Sequence, residues 1–295
     1  MKSGIVAVVG RPNVGKSTLV NALVGSKVAI TSTKPQTTRN IIRGVVNGPG
    51  FQLVLVDTPG IHKPRTELGG RLNGLVYGTL GTVDAVVFVL DATQPVGPGD
   101  RLIAERLIEY GARVVAAINK TDLASKTEVV GQLGTAGEWG FDAYVPVSSL
   151  RGEGLDALTE EVLRLVPEGP MLFPEGMTTD QPETLLVAEI IREKFLERLT
   201  EELPHSLMVV VDEIEDEGEG LTIVTARVLV ERNSQKGIVI GRKGAMLGAA
   251  GTEARLELEK VFGSRVHLDL RVSVEPDWQS RPELLDRLGF RRDIE

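Results

Sequence analysis

The chain has 295 residues, more than most single domains, and 42% of them are hydrophobic, which is enough for two ordinary cores. It contains no cysteine, which excludes disulfide and thiolate chemistry, and His62, His205 and His267 are too scattered to indicate a zinc site. A net charge of −8 argues against a protein that coats long duplexes, so any nucleic-acid site should be local. No segment has the apolar length of a signal peptide or a membrane span, and we expect a cytoplasmic protein.

The first half of the chain alternates short apolar runs with helix-length segments. Such β-branched runs are typical of buried parallel strands, so residues 1–166 are predicted to form an α/β domain with a doubly wound sheet. The runs are IVAVV, FQLVLVD, AVVFVLD, RVVAAIN and AYVPVS.

A phosphate-binding motif follows the first predicted strand. The stretch GRPNVGKST fits G-x-x-x-x-G-K-S and precedes a helix-compatible segment. Glycine amides and the helix N-terminus can surround phosphate oxygens, Lys16 adds positive charge, and Ser17 can bind Mg²⁺. The predicted phosphate loop consists of Gly10, Arg11, Pro12, Asn13, Val14, Gly15, Lys16, Ser17 and Thr18.

Three further motifs end predicted strands: DTPG, NKTD and SSL. The Asp57 carboxylate can hold Mg²⁺ and the Gly60 amide can reach a γ-phosphate. The Asp122 carboxylate can accept from the two guanine donors, which adenine does not offer, and a backbone amide of SSL can serve guanine O6. The predicted residues are Asp57, Thr58, Pro59, Gly60, Ile61, Asn119, Lys120, Thr121, Asp122, Ser148, Ser149 and Leu150.

Each motif alone is also compatible with an ordinary turn, but their combination in this order favours a guanine-nucleotide site. On these motifs residues 1 to about 165 resemble the translation-factor-type GTPase domain. The resemblance implies that TSTKPQTTRN is the mobile first switch, and that either Thr37 or Thr38 binds Mg²⁺ in the GTP state. The residues predicted to take part in hydrolysis are Lys16, Asn13, Gly60, Thr37 and Thr38.

Ile61 occupies the position after DxxG where many regulatory GTPases have a glutamine that orients water. Isoleucine cannot do this, so intrinsic hydrolysis should be slow or use another group. The resemblance points to the subgroup with a hydrophobic residue here, part of which uses an asparagine matching Asn13 to hold K⁺. The alternative is that Asn13 only shapes the loop.

Residues 167–182 contain four prolines and are predicted to be a linker. Residues 183–295 are then predicted to form a smaller α+β domain. Its expected order is helix, antiparallel hairpin, helix, IGRKG, helix and strand, followed by a short terminal helix.

The IGRKG loop lacks the spacing of a second nucleotide site, but G-x-x-G keeps the backbone thin enough for single-stranded sugar-phosphates to approach. Four basic and no acidic residues lie between Arg232 and Lys243. Alone, G-x-x-G is most often a simple turn. In this order of elements residues 183 to about 275 resemble a bacterial-type (type II) KH domain. The predicted RNA-binding residues are Ile238, Val239, Ile240, Gly241, Arg242, Lys243, Gly244, Met246 and Leu247.

Together the two domains resemble the Era family of bacterial GTPases. The resemblance implies GTP/GDP and Mg²⁺ as ligands, single-stranded RNA near the 3′ end of the small-subunit ribosomal RNA as a partner, and a role in assembly of the small ribosomal subunit. It also implies peripheral contact with the inner face of the cell membrane, and we expect a monomer. Two alternatives stay open: an RNA-binding protein with an inert nucleotide domain, and a P-loop phosphotransferase.

Overall fold

A computed structural model describes residues 1–32, 34, 37–60, 66–200, 203–288 and 290. The N-terminal half contains a six-stranded sheet with strand order β2-β3-β1-β4-β5-β6. All neighbours are parallel except β2 and β3, so the predicted doubly wound sheet is confirmed. The strands are β1 (Lys2–Val9), β2 (Ile42–Gly48), β3 (Phe51–Asp57), β4 (Ala85–Asp91), β5 (Val114–Asn119) and β6 (Ala143–Pro146).

Helices cover both faces of this sheet because successive strand residues point to opposite sides. Val6 and Val8 of β1 join one apolar cluster, which includes residues of α1 and α5, whereas Ala7 and Val9 join a second cluster with α2, α3 and α4. The helices are α1 (Lys16–Val24), α2 (Glu67–Leu80), α3 (Pro98–Glu109), α4 (Lys126–Gly137) and α5 (Leu155–Leu165).

The segment predicted as a linker lies along β2, the edge strand of the sheet. The Val45 amide donates to the Thr178 carbonyl, and the Leu172 and Phe173 amides donate to Gln52 Oε1 at 2.8 and 2.9 Å. This pairing satisfies backbone groups that an open sheet edge leaves exposed. The segment is therefore packed against the first half over much of its length.

The C-terminal half contains a three-stranded sheet of order β7-β8-β9 with helices on one face. The predicted hairpin is antiparallel, but β9 is parallel to β8, so a prediction of antiparallel strands holds for β7 and β8 and is wrong for β9. The helices between β8 and β9 carry the chain back to the starting end of the sheet, which makes the pairing parallel. The elements are α6 (Glu183–Leu196), α7 (Leu203–Ser206), β7 (Met208–Asp216), β8 (Leu221–Val230), α8 (Asn233–Ile240), α9 (Ala245–Phe262), β9 (Arg265–Val274) and α10 (Pro282–Arg287).

The two halves meet in a mixed apolar and polar interface. Leu68 and Leu72 of α2 pack in one buried cluster with C-terminal residues that include Trp278, which is fully buried. Arg71 of α2 forms an ion pair with Asp286 at 2.5 Å. Within the described part of the chain, no helix is both long and apolar enough to cross a membrane.

Candidate nucleotide site and nucleic-acid groove

The phosphate loop joins β1 to α1 and has the backbone that its sequence requires. Gly15 has φ of 97°, and a Cβ added there would lie 2.4 Å from Asn119 Nδ2, so glycine allows the loop to touch the NKTD motif. Asn13 also has positive φ, at 65°. The loop ends directly at the N-terminus of α1, where free amides favour an anion.

Lys16 lies inside this loop with its ammonium group held by backbone oxygens. Its Nζ donates to the carbonyls of Gly10 and Arg11 at 3.3 and 3.1 Å. Burial lowers the pKa of Lys16 to about 8, against the opposing effect of the Asp57 charge. A phosphate group near Lys16 would favour the charged ammonium again.

Three oxygen-bearing side chains converge beside the phosphate loop. Ser17 Oγ lies 2.7 Å from Asp57 Oδ2 and 2.9 Å from Thr38 Oγ1, and Thr38 Oγ1 lies 3.2 Å from the same carboxylate oxygen. Asp57 Oδ1 is buried without a hydrogen-bond partner among the described residues. Burial raises the pKa of Asp57, against the effects of Lys16, Ser17 and Thr38. Hydroxyl and carboxylate oxygens with one unused carboxylate atom fit Mg²⁺.

The structure distinguishes the two threonines that the sequence left as alternatives. Thr37 Oγ1 donates to the Lys34 carbonyl at 2.7 Å and lies apart from the cluster, whereas Thr38 joins Ser17 and Asp57. Of the two alternatives, Thr38 is therefore the candidate metal ligand, and its role stays a prediction. The side chains of adjacent residues point in different directions, which explains why only one of them reaches the cluster.

The NKTD motif holds the phosphate loop and the SSL motif together. Asn119 Nδ2 donates to the Val14 carbonyl at 2.9 Å, and Asn119 Oδ1 accepts from the amide and hydroxyl of Ser149 at 3.0 and 2.8 Å. Lys120 Nζ donates to the Asn13 carbonyl at 2.7 Å and to Asp91 Oδ2 at 2.6 Å. These contacts place three predicted motifs around one cleft.

The predicted guanine-recognition residue, Asp122, is oriented by Ser148, whose Oγ donates to Asp122 Oδ1 at 2.6 Å. The Ser148 amide donates to the Glu153 carbonyl and the Ser149 amide to Asn119. Of the three SSL residues, Leu150 is therefore the candidate to offer its amide to guanine O6. Its side chain is 77% exposed beside the cleft.

Several of the remaining predicted residues line the same cleft. Pro12, Thr18 and Gly60 line it together with Lys16 and Ser17. Thr58 is buried, and its hydroxyl donates to the Val8 carbonyl at 2.9 Å. Ile61, the residue in the usual glutamine position, lies outside the described residues.

Two acidic residues that support this cleft were missed by the sequence analysis. Asp100 accepts from Arg11 Nε at 2.6 Å, and Asp91 accepts from Lys120. Both are buried, and Asp91 ends β4 at the same sheet edge as the recognised motifs. Its position at a strand end was the signal that could have identified it.

The second glycine loop turns between α8 and α9 as predicted. Gly241 has φ of 75°, and a Cβ there would lie 2.7 Å from the Met246 Cβ, so the close turn requires glycine. Lys243 has positive φ of 53°, and both Arg242 and Lys243 are exposed. The loop therefore exposes the positively charged side chains of Arg242 and Lys243 between two glycines that add no side-chain bulk.

A groove of ≈ 430 Å³ runs from this loop along α9 and β9. Leu247 and Gly244 line it, but most of its lining was not predicted: Gly248, Gly251, Thr252, Arg255, Leu268, Asp269 and Leu270. Val239, also predicted to bind RNA, is fully buried in the core, so its side chain does not face the groove. Ile238 is 53% exposed, whereas Ile240 and Met246 pack partly against the core, because neighbouring helix residues face different sides.

Comparison with known proteins identifies the family. A model described as "50S ribosome-binding GTPase" matches residues 5–120, and a KH-domain model matches residues 202–279. GTPase Era from Mycobacterium sp. (strain JLS) is 51% identical over 295 residues, covering 98% of this chain and 99% of its own length. GTPase Era from Mycobacterium tuberculosis (strain ATCC 25177 / H37Ra) is 50% identical with the same coverage of this chain. The chain belongs to the GTPase Era family.

Two solved Era structures share the fold over nearly the whole chain. Era in complex with MgGDPNP and nucleotides 1506–1542 of 16S ribosomal RNA has a TM-score of 0.94 and 40% identity, covering 99% of both chains. A variant of Aquifex aeolicus Era bound to GDP·AlF₄⁻ has a TM-score of 0.94 and 39% identity, covering 99% of this chain and 100% of its own. The predicted fold class and GTPase activity are thereby confirmed. The domain boundaries and the individual site residues stay predictions.

Proposed function

We propose that this Era-family GTPase binds GTP with Mg²⁺, hydrolyses it to GDP and phosphate, and binds single-stranded RNA near the 3′ end of the small-subunit ribosomal RNA during assembly of the small subunit. The observation that carries the proposal is the likeness over 99% of the chain to Era bound to MgGDPNP and that RNA. The description of the first family model mentions the 50S ribosome, but that model covers one domain, whereas the Era relatives cover both.

The nucleotide site supports this proposal in chemical detail. The amides of the phosphate loop and Lys16 would hold the phosphates, and Ser17, Thr38 and Asp57 would hold Mg²⁺ with its waters. When bound, Mg²⁺ would neutralise charge that develops on the phosphate oxygens. Asp122 would accept from guanine N1–H and the exocyclic amine, while Leu150 would donate to O6.

Positioning of the attacking water needs a group other than a glutamine. Ile61 cannot orient water, and the Asn13 carbonyl is already held by Lys120. The Asn13 side chain is the candidate to help hold K⁺ near the phosphates. GTP turnover that is equal in potassium and sodium buffers, both for the intact protein and for Asn13→Ala, would exclude this role.

Contacts between the halves support control of RNA binding by the nucleotide. Arg39, next to Thr38, donates to the Leu207 and Pro204 carbonyls of the C-terminal half at 2.7 and 3.2 Å. A γ-phosphate that orders the first switch would therefore favour one orientation of the KH domain, and hydrolysis would release it.

The central experiment measures nucleotide preference and RNA binding on the full chain. We expect hydrolysis of GTP but not ATP, loss of hydrolysis in Lys16→Ala, and an RNA affinity of that variant equal to that of the unchanged protein without nucleotide. The pair of substitutions Gly241→Asp and Gly244→Asp should abolish binding of a 3′-end oligonucleotide without affecting hydrolysis in the absence of RNA, because their charges repel phosphates and a Cβ at Gly241 disturbs the turn.

The same experiment tests the two alternatives. Absence of hydrolysis together with RNA binding would identify an RNA-binding protein with an inert nucleotide domain. Transfer of the labelled γ-phosphate to a small molecule would identify a phosphotransferase. No preference for GTP over ATP would overturn the proposed function.

The cytoplasmic location, the peripheral membrane contact and the monomeric state rest on family resemblance and are part of the proposal. Separation of cell extracts into soluble and membrane fractions, and light scattering of the purified chain, would test them. Recovery of the protein only in a tightly bound membrane fraction, or as a stable oligomer, would contradict them.

A further inference from the structure

A buried arginine of the C-terminal half contacts the first switch. Arg192 on α6 is fully buried, and its Nε and Nη2 donate to the two carboxylate oxygens of Glu189 at 2.8 and 2.7 Å. This two-point pairing fixes the plane of the guanidinium. Nη2 also donates to the carbonyl of Thr37.

The Thr37 carbonyl belongs to the peptide group that leads into Thr38. Because a peptide group is planar, holding this oxygen limits the directions that the Thr38 backbone can take. Thr38 Oγ1 is the switch oxygen that lies beside Ser17 and Asp57. The Arg192 contact is thus one peptide group away from the cluster proposed to hold Mg²⁺.

The other neighbour of Thr38 is also held by the C-terminal half. Arg39 is buried, donates to the carbonyls of Leu207 and Pro204, and lies over the Trp278 ring at 5.7 Å from its centroid. Thr38 is therefore placed between two anchored residues. The partners in these contacts, Arg192 for Thr37 and the carbonyls of Pro204 and Leu207 for Arg39, lie more than 150 positions further along the chain.

We propose that Arg192 is a positioning residue for the GTP-bound site: by holding the Thr37 carbonyl, it keeps Thr38 Oγ1 where it can bind Mg²⁺. The inference rests on the proposed function, since it concerns the same metal and nucleotide. Under this proposal, a residue of the C-terminal half determines part of the geometry of the first switch. Arg192 is not among the residues that line the nucleotide cleft, and it would act through Thr37.

The decisive variant is Arg192→Lys. Lysine keeps the positive charge next to Glu189, but its single ammonium cannot reproduce the planar fork that binds Glu189 and Thr37 together. The matched control is Arg227→Lys, because Arg227 also forms a two-point pair with a carboxylate, Asp212, in the same half but on the exposed hairpin. A second variant, Glu189→Gln with Arg192→Gln, removes both charges of the buried pair at once.

Affinities for fluorescent GDPNP and GDP should be measured on the full chain, with saturating Mg²⁺ and with a chelator. We expect Arg192→Lys to bind GDPNP about tenfold more weakly in Mg²⁺, the effect of one hydrogen bond to a charged group, with less than about a twofold change for GDP. The difference should vanish in the chelator. The double variant should behave like Arg192→Lys, and Arg227→Lys like the unchanged protein.

Equal weakening of GDPNP and GDP binding would overturn the proposal, because it would indicate a general loss of structure. Unchanged GDPNP affinity in both Arg192 variants would also overturn it. If the unchanged protein fails to bind GDPNP with Mg²⁺, the proposed function itself is wrong, so the two failures are distinguishable.

Discussion

At the scale of single residues, the proposed specificity for guanine would depend on the Asp122 carboxylate, which is fixed by the Ser148 hydroxyl. Ser148 donates to Asp122, and Asn119 fixes the neighbouring Ser149, so the SSL motif and the NKTD motif form one rigid unit. This leaves Asp122 oriented before the base arrives. Preorganisation of that kind lowers the ordering cost of binding.

We predict that Asp122→Asn weakens GTP binding on the order of a thousandfold, because both charge-assisted hydrogen bonds to guanine are lost. Xanthosine triphosphate has a carbonyl in place of the exocyclic amine, so it should bind the variant better than GTP does. Competition against fluorescent GDP measures both affinities.

Asp142→Asn is the control for this substitution, since Asp142 accepts from the Val114 amide at 2.7 Å away from the cleft. It should leave the preference for GTP unchanged. A GTP affinity in Asp122→Asn equal to that of the unchanged protein would show that another group reads the base.

At the scale of secondary-structure elements, the shape of the groove between α9 and β9, where we propose that RNA binds, depends on small residues along one side of α9. Gly244, Gly248 and Gly251 are spaced four and three residues apart, which places them on one helix face. That face is opposite the β9 side chains Leu268 and Leu270. Larger residues on this face would fill the space between helix and strand.

We predict that Gly251→Val weakens binding of a single-stranded 3′-end oligonucleotide by about ten- to a hundredfold, the effect of losing one base contact. A Cβ at Gly251 lies 3.3 Å from Leu270 Cδ1, a flexible side-chain end, so the fold should tolerate the branched residue. Fluorescence anisotropy with labelled RNA provides the measurement.

Ala249→Val provides a matched control, because Ala249 is exposed on the same helix and does not line the groove. It should not change RNA affinity. If Gly251→Val and Ala249→Val bind RNA equally well, the groove between α9 and β9 is not where the bases lie.

At the scale of the whole molecule, the halves are joined by ion pairs as well as by apolar packing. Lys27 of the N-terminal half forms ion pairs with Glu193, at 2.5 Å, and with Glu257 of the C-terminal half. Lys194 also pairs with Glu257 at 2.5 Å. Desolvation opposes ionisation of Glu257, but Lys194 and Lys27 outweigh it and lower the pKa of Glu257 below 4.5.

The lowered pKa of Glu257 determines the direction in which the free energy of unfolding changes with pH. Since the folded state favours the charged form, the stabilisation is present above 4.5 and is lost as the pH falls through the lower folded-state pKa. We predict that Glu257→Gln lowers the free energy of unfolding by about 1 kcal/mol at neutral pH. This difference should approach zero in acid, as measured by urea unfolding at several pH values.

Glu161→Gln is the comparison for this prediction, because Glu161 pairs with the exposed Arg164 within one helix. Its effect should be below about 0.5 kcal/mol at neutral pH. If Glu257→Gln lowers the free energy of unfolding as much in acid as at neutral pH, the Glu257 side chain stabilises the interface by packing rather than by charge.

The sequence by itself determined the chemistry of the nucleotide site. The carboxyl ends of parallel strands share one sheet edge, so motifs that end different parallel strands, such as Asp57 and Asn119, could be brought together without knowledge of the structure. The G-x-x-G turn was equally predictable, because positive φ at Gly241 is a local requirement. Each of these inferences depends on residues that are close in sequence or on a general rule of sheet geometry.

Only the tertiary structure decided which residues face which partner. It placed Thr38 rather than Thr37 beside Asp57, buried Val239 in the core, paired the linker with β2 and brought Arg192 to the Thr37 carbonyl. The edge strand β2 was not predicted, since Arg43 and Gly44 interrupt its apolar pattern. Such outcomes depend on packing between segments far apart in the chain, which residue type and local spacing do not specify.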